Sequence, residues 1–565
     1  MSVRSTAVGA ARRSGHTVDR LCERPRAVVG TLIVGQIALV LIFALLVEHN
    51  GWVWYQGGDQ IWMTTSGWLL GQRELPPTEV GYLWPALQAP ITWSTGPTYL
   101  QALPPLVLAQ VLILGPLSLV CVYALAQEIG GRLLGYWAAF LWVVAPFAAI
   151  PLFVDRYQER WYEQFLPQAL GLTAMADFPS MVLVLAGAYF VVRSLAPGRI
   201  TDAALAGVLI GAGAGLKPPN LLVVAGAALA YVVARRWREG LACGIAILPA
   251  LLVLLLWKVR GLGQVPAFAL EQTRLAASAH PLAVDLKLDR YFDLDFNHWR
   301  TQMDALREFF WSQRVAQWAP VAGLIAVLSV RRGAIAALLG GWLAAFLAVK
   351  GFSPLASIES GSFWRLLMPA WPAYLLLFAA IPLLVPTLAR RLGDRVQPAA
   401  TTPVTIRWIG VAVAVAVVLP AVAIAASSPL DKPRAQAKTV VQGGFEDGNI
   451  LTPVDGGVRL TVRQEGTARR LDWTGGGSWR ADVFYRVYRH DGADEDTVCY
   501  QTGGTGWYCI LNSAPIATTR DLTYVDPDAP PNATYRVGVG TNWANDPQFG
   551  DVFAFSPPVE VGAPG

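Results

Sequence analysis

Long apolar runs set the rhythm of this chain. They recur at about residues 27–47, 104–126, 133–153, 178–195, 203–216, 219–234, 241–257, 316–330, 333–349, 364–386 and 406–427. A run of about 18 or more residues with few charges can cross a bilayer as a helix. The pattern predicts a polytopic all-α membrane domain of about eleven transmembrane helices over residues 1–427. Basic clusters fall between alternate runs: Arg132, Arg193 with Arg199, Arg235-Arg236 with Arg238, Arg331-Arg332, and Arg390-Arg391 with Arg395. More arginines, from Arg4 to Arg26, precede the first run. Such clusters mark the cytoplasmic side. The N-terminus is therefore expected in the cytoplasm, and an odd number of crossings places the C-terminus outside. The first run is long enough to span and no small-residue cleavage motif follows it, so it reads as a retained helix.

The opposite side carries the long loops, near 48–103, 154–177, 258–315 and 350–363. In the first, Ile61-Trp62, Trp68-Leu69-Leu70, Tyr82-Leu83-Trp84 and Ile91-Thr92-Trp93 are short apolar pieces. Pro76-Pro77, Pro85 and Pro90 interrupt them, which predicts segments lying in the membrane interface. From about residue 428 the rhythm changes. Residues 428–450 read as a linker. Residues 451–565 carry alternating segments such as Val458-Arg459-Leu460-Thr461-Val462 and Tyr535-Arg536-Val537-Gly538-Val539, which predict an extracytoplasmic all-β sandwich.

Composition agrees with this layout. Of 565 residues, 54% are hydrophobic and 15% charged, with a mean hydropathy of +0.42; a soluble domain carries about 25% charged residues. The net charge of +5 is spent on orientation, and no nucleic-acid partner is implied. Five cysteines are too few for a disulfide scaffold. Cys499 and Cys509 flank a glycine-rich stretch that reads as a hairpin turn, so a disulfide between them is expected in an oxidising compartment.

Four polar features share the predicted outer side. Asp59 follows Gly57-Gly58 among aromatic residues. It is either a solvated loop carboxylate or a partly desolvated base at headgroup level. Asp155-Arg156-Tyr157-Gln158-Glu159-Arg160 alternates acids and arginines, either as local ion pairs on an interfacial helix or as a substrate lining, with Asp155, Arg156 and Glu159 as candidates. Gly211-Ala212-Gly213-Ala214-Gly215-Leu216-Lys217-Pro218-Pro219 ends a small-residue helix in a lysine; Lys217 either snorkels or holds a lipid phosphate. Glu359-Ser360-Gly361-Ser362-Phe363-Trp364-Arg365 opens a proline-containing span, and the planar guanidinium of Arg365 suits phosphate, with Glu359 beside it. The acids Asp285, Asp289, Asp293 and Asp295 near His298 read either as a solvated loop or as a cation site. No phosphate-binding glycine loop, paired Cys-x-x-Cys or His-Glu-x-x-His is present in the sequence, and no metal or cofactor is called for.

The order and sidedness of these motifs resemble the GT-C superfamily of integral-membrane glycosyltransferases, in the branch of protein O-mannosyltransferases and aminoarabinose transferases. The resemblance rests on Gly57-Gly58-Asp59-Gln60 after the first span, Leu216-Lys217-Pro218, and Arg365-Leu366-Leu367-Met368-Pro369-Ala370-Trp371-Pro372. It covers about residues 28–386. Many members follow the first aspartate with a second acid; this chain has Gln60, so another acid, Asp155 or Glu159, is needed if the site has two. The C-terminal spacing resembles a fibronectin type III domain. Leu471-Asp472-Trp473 stands for the strand with the buried Trp, and Asp526 to Tyr535 for the turn into the tyrosine-corner strand.

The resemblance implies a cell-envelope enzyme of a bacterial-type plasma membrane. It would move a sugar from a polyprenyl-phosphate-linked donor to an extracytoplasmic acceptor (saccharide, lipid or protein) with inversion. Asp59 would be the general base, and Lys217 and Arg365 would hold the phosphate among membrane lipids. The alternative is a transporter or flippase of a lipid-linked saccharide, with the same cations gripping the phosphate.

Overall fold

A computed structural model of the protein describes residues 24–46, 57–76, 81–95, 99–153, 168–261, 294–309, 314–352, 367–393, 403–429, 439–441, 451–453, 458–474, 483–491, 497–501, 507–511, 515–541 and 552–560. Helix α1 is Pro25–Leu46; α2 (Gly57–Gly71) and α3 (Leu83–Thr95) occupy the first loop expected outside. Helix α4 (Tyr99–Ala109) runs through a π turn, Gln110–Leu114, into α5 (Gly115–Gly130). Then come α6 (Arg132–Phe153), α7 (Asp177–Ser194) and α8 (Ile200–Leu216). A 3₁₀ turn, Pro218–Leu222, leads to α9 (Val223–Ala234), α10 (Trp237–Gly261), α11 (Phe296–Phe309), α12 (Arg314–Ser329) and α13 (Gly333–Gly351). The 3₁₀ turn Met368–Ala370 opens α14 (Trp371–Ala380), and a second, Ile381–Leu384, precedes α15 (Pro386–Gly393). The last crossing joins α16 (Ile406–Val413) and α17 (Leu419–Ala426) through a π turn. Among the described residues, 6 segments are long and apolar enough to cross a membrane, and shorter apolar helices fill the remaining predicted positions.

The first outer loop departs from the expected chain of short pieces. It forms two continuous helices, α2 and α3, packed on each other. Pro85 does not interrupt, because it lies in the first turn of α3, where a helical N–H lacks a partner in any case. Pro90 lies within α3 and is tolerated there. The pair is also buried more deeply than an interfacial helix: Gln60, Thr64, Tyr82, Gln88 and Thr92 are fully buried.

Small residues set how closely the bundle closes. Helix α8 lies against α7 and α10. A methyl group on Gly207 would sit 2.2 Å from the carbonyl oxygen of Cys243, so only glycine permits this approach. One end of the bundle collects arginines and their partners. Arg193 and Arg199 pair with the buried Asp202 at 3.2 and 3.4 Å, and Arg236 Nε donates to Leu195 O at 2.9 Å. The opposite end, the outer end of the positive-inside reading, carries α2, α3 and the start of the C-terminal region.

The residues expected to begin the linker are ordered into the bundle. Strand β1 (Glu74–Leu75) pairs in parallel with β2 (Ser428–Pro429). Ser428 N–H donates to Arg73 O at 2.9 Å, and Arg260 Nη2 donates to Ser427 O at 2.8 Å. Beyond lie the hairpin β3 (Thr439–Val441) and β4 (Leu451–Pro453), and two larger sheets. One sheet orders β11 (Thr523–Asp526), β6 (Ala468–Thr474) and β5 (Arg459–Glu465). The other orders β10 (Pro515–Thr519), β7 (Val483–Asp491), β12 (Ala533–Thr541) and β13 (Val552–Phe555), with β14 (Val559–Glu560) also on β12. Trp473 of β6 meets Tyr485 of β7 with ring centroids 5.5 Å apart, so the two sheets share a core. Tyr535 is fully buried, and its hydroxyl donates to Asp526 Oδ2 at 2.7 Å. Arg489 grips the same carboxylate at 3.0 Å. Burial and this carboxylate hold the Tyr535 phenol well above its ordinary pKa. In the hairpin of β8 (Thr497–Gln501) and β9 (Trp507–Leu511), Cys499 and Cys509 stand directly opposite.

Candidate active site at the outer end of the bundle

The site begins with the break after α8. Lys217 has an extended backbone, φ −146° and ψ 106°, as a residue before proline prefers. Its N–H still bonds Gly213 O at 2.9 Å. The buried Asn220 donates through Nδ2 to the same carbonyl, also at 2.9 Å, and pins the turn. The lysine side chain is thereby turned toward α7.

Its partner there is Asp177, the first residue of α7, 1% exposed. Lys217 Nζ forms an ion pair with Asp177 Oδ1. The helix N-terminus adds favourable dipole to that carboxylate. The other oxygen, Oδ2, is buried with no hydrogen-bond partner among the described residues. A second ammonium, Lys350 at the end of α13, is only 8% exposed and near enough to Lys217 that the two charges act on each other. No carboxylate is paired with Lys350 among the described residues. Among the described residues, two cations and one carboxylate leave one positive charge in excess, in surroundings that scarcely hydrate it.

The segment before Asp177 is the hub on which the outer loop docks. Gln60 Oε1 accepts from Ala174 N–H at 2.8 Å. Trp84 Nε1 donates to Ala174 O at 2.6 Å, and Gln110 Nε2 to Thr173 O at 2.6 Å. Gln60, which stands where the resemblance leads one to expect an acid, thus holds α2 in place. At the head of α3, Tyr82 donates to Ala416 O at 2.6 Å. A methyl group on Gly81 would lie 2.2 Å from Gly215 O and 2.4 Å from Leu216 O. The loop helices therefore press directly on the residues that present Lys217.

On the other side, Trp299 of α11 covers Gly351, the neighbour of Lys350, and stacks on Phe352 at 5.9 Å. A small apolar crevice of about 20 Å³, room for about one water, lies between α1, α6, α7 and the Met368 turn, lined by Gln36, Trp142, Phe147, Phe178, Met368 and Trp371 among others. Phe178, which lines it, follows Asp177 in the chain.

Of the expected site residues, only Lys217 has a described side chain. Asp59 lies in the first turn of α2, with its side chain outside the described residues. Asp155, Arg156, Glu159, Glu359 and Arg365 fall wholly outside them, as do the side chains of Cys499 and Cys509. Asp295, one of the acids near His298, accepts from the N–H groups of Asn297 and His298 at 2.8 and 3.2 Å and caps α11. The structure adds two residues that the sequence did not single out, Asp177 and Lys350. Their signal is slight: each is a lone charge at the outer boundary of an apolar run.

No protein-family model matches the chain, and no curated protein does either. Solved structures do match. The apo oligosaccharyltransferase of Archaeoglobus fulgidus aligns at 15% identity and a TM-score of 0.37, over 72% of this chain and 57% of that one. ArnT from Cupriavidus metallidurans, bound to undecaprenyl phosphate, aligns at 16% and 0.41, over 70% and 74%. AglB from Archaeoglobus fulgidus, with an inhibitory peptide and a dolichol-phosphate, aligns at 13% and 0.37, over 71% and 56%. The chain is similar to these proteins in fold. It spans little more than half the length of the archaeal ones.

Proposed function

We propose that this protein is an inverting membrane glycosyltransferase that uses a polyprenyl-phosphate-linked sugar. The observation that carries the proposal is the buried cluster of Asp177, Lys217 and Lys350 at one end of an apolar helix bundle. A phosphate on an isoprenoid tail matches both parts: an anion for the excess charge and an apolar chain for the lipid around the bundle. Lys217, Lys350 and Arg365 receive the phosphate. Asp177 orients Lys217 and offsets one of the two ammonium charges. A phosphate leaving group is stabilised by cations rather than by a protonating acid. Asp59 is the general base that takes the proton of an extracytoplasmic hydroxyl, which attacks the anomeric carbon as the bond to the phosphate breaks. Asp155, Arg156, Glu159 and Glu359 remain candidates for the sugar and the acceptor. The C-terminal strands, residues 451–565, read as a fibronectin type III-like domain outside the cytoplasm.

The test uses the full chain in vesicles with a radiolabelled polyprenyl-phosphate sugar and an envelope extract as acceptor source. Asp59→Asn is expected to bind the donor nearly as the wild type does and to transfer about 100- to 10,000-fold more slowly. Lys350→Met is expected to weaken donor binding about tenfold or more, because it removes a charge-assisted contact. A wild type that carries intact lipid across the bilayer and transfers no sugar would overturn the proposal in favour of transport.

A further inference from the structure

A second cavity lies at the arginine-rich end, far along the bundle from the Lys217 cluster. It is half open to its surroundings, offers about 310 Å³, and is lined by Ile129, Gly130, Val330, Arg331, Arg332, Leu383 and Ala389. One water takes roughly 30 Å³ of liquid, so the space holds far more than a single bridging water. Among the described residues that line it, two bear guanidinium groups and none is a carboxylate. Arg332 also acts on Glu128, whose charge partly offsets it.

Arg331 is held there in an unfavourable way. It closes α12 with φ +60°. Its N–H bonds Leu328 O at 2.9 Å, and Arg332 N–H bonds Val327 O at 3.2 Å. This is the helix ending in which glycine is the usual residue, since a side chain crowds the left-handed backbone. The chain keeps arginine where glycine fits better. Leu328, Leu384, Val385 and Leu388, one to three residues along the chain from lining residues, are 41–50% exposed, as side chains in contact with lipid would be.

We propose that this cavity binds the phosphate headgroup of an anionic phospholipid, with Arg331 and Arg332 on the phosphate and the acyl chains along Leu328 and Leu384. Basic pockets between helices at the cytoplasmic face suit such headgroups. The charge complementarity and the exposed apolar side chains together favour a lipid over a soluble anion. The site is independent of the glycosyltransferase reading.

The experiment measures thermal unfolding of the full-length protein in a neutral detergent with phosphatidylglycerol, phosphatidylcholine or inorganic phosphate added. A ligand that binds only the folded state raises the melting temperature. Phosphatidylglycerol is expected to raise it by several degrees and phosphatidylcholine to leave it unchanged. Arg331→Gly suits the left-handed backbone, so it should melt at or above the wild type without lipid and lose most of the phosphatidylglycerol shift. Arg235→Gly is the control. Arg235 ends α9 in the same conformation, φ +55°, and does not line the cavity, so that variant should keep the full shift. An undiminished shift in Arg331→Gly, an equal loss in Arg235→Gly, or the same shift with inorganic phosphate would overturn the proposal.

Discussion

Replacing Lys217 by methionine strands the carboxylate of Asp177. That carboxylate is 1% exposed, its Oδ2 already lacks a described partner, and Lys217 is its ion-pair partner. Breaking a buried pair by removing one member costs about 3–5 kcal/mol. The N-terminus of α7 still faces the carboxylate and returns about 1 kcal/mol. The net loss expected for Lys217→Met is about 2–4 kcal/mol, or roughly 30- to 1,000-fold in the folded-to-unfolded ratio. Asp177→Leu with Lys217→Met removes both charges together and is expected to recover most of that stability, because an apolar pair of similar size needs no partner. Donor binding should behave differently. Both variants lack the ammonium, so both should bind polyprenyl phosphate weakly, and the recovered stability should bring no recovered binding. Unfolding in detergent, followed by the intrinsic fluorescence of the tryptophans, reads the first quantity; retention of labelled polyprenyl phosphate reads the second. A double variant that binds the lipid as the wild type does would show that Lys217 is structural only. A single variant as stable as the wild type would refute the burial argument itself.

Two further outcomes are expected. Gly81→Ala drives a methyl group into the backbone carbonyls of Gly215 and Leu216, so it should cost about 1–3 kcal/mol or more; detergent unfolding checks the cost, and transfer activity should fall with it, because the displaced carbonyls precede Lys217. Cys499 and Cys509, opposite each other in the β8–β9 hairpin, should form a disulfide in the exported protein. Thiol labelling under denaturing, non-reducing conditions should find both blocked, and two labelled thiols would reject the pairing.

The helices were legible because bilayer spans impose length and apolarity on contiguous sequence, and the Lys217-Pro218 break was legible because proline acts on its immediate neighbour. Asp177 and Lys350 were not, since each is one charge at the edge of an apolar run, where a boundary residue is expected anyway. Their meaning comes from meeting Lys217 across about 40 and 130 residues of chain, a non-local fact. Gln60 misled for a related reason. Read against neighbouring acids it is a lost carboxylate, whereas its side chain is committed to Ala174. The pieces of the first loop around Pro85 and Pro90 form one helix because Pro85 falls in its first turn, where it does not interrupt, and Pro90 is tolerated inside it.

The parallel pairing of Glu74–Leu75 with Ser428–Pro429 has a consequence for biosynthesis. The two partners are separated by roughly 350 residues, and translation at about 5–20 residues per second delivers the second tens of seconds after the first. The hydroxyl of Tyr82 waits as long for its acceptor, Ala416. Throughout that interval the nascent chain has inserted its first spans but cannot seat α2 and α3 fully over Lys217. The last crossing works as a latch, and an incompletely translated chain carries the charged cluster without its finished roof.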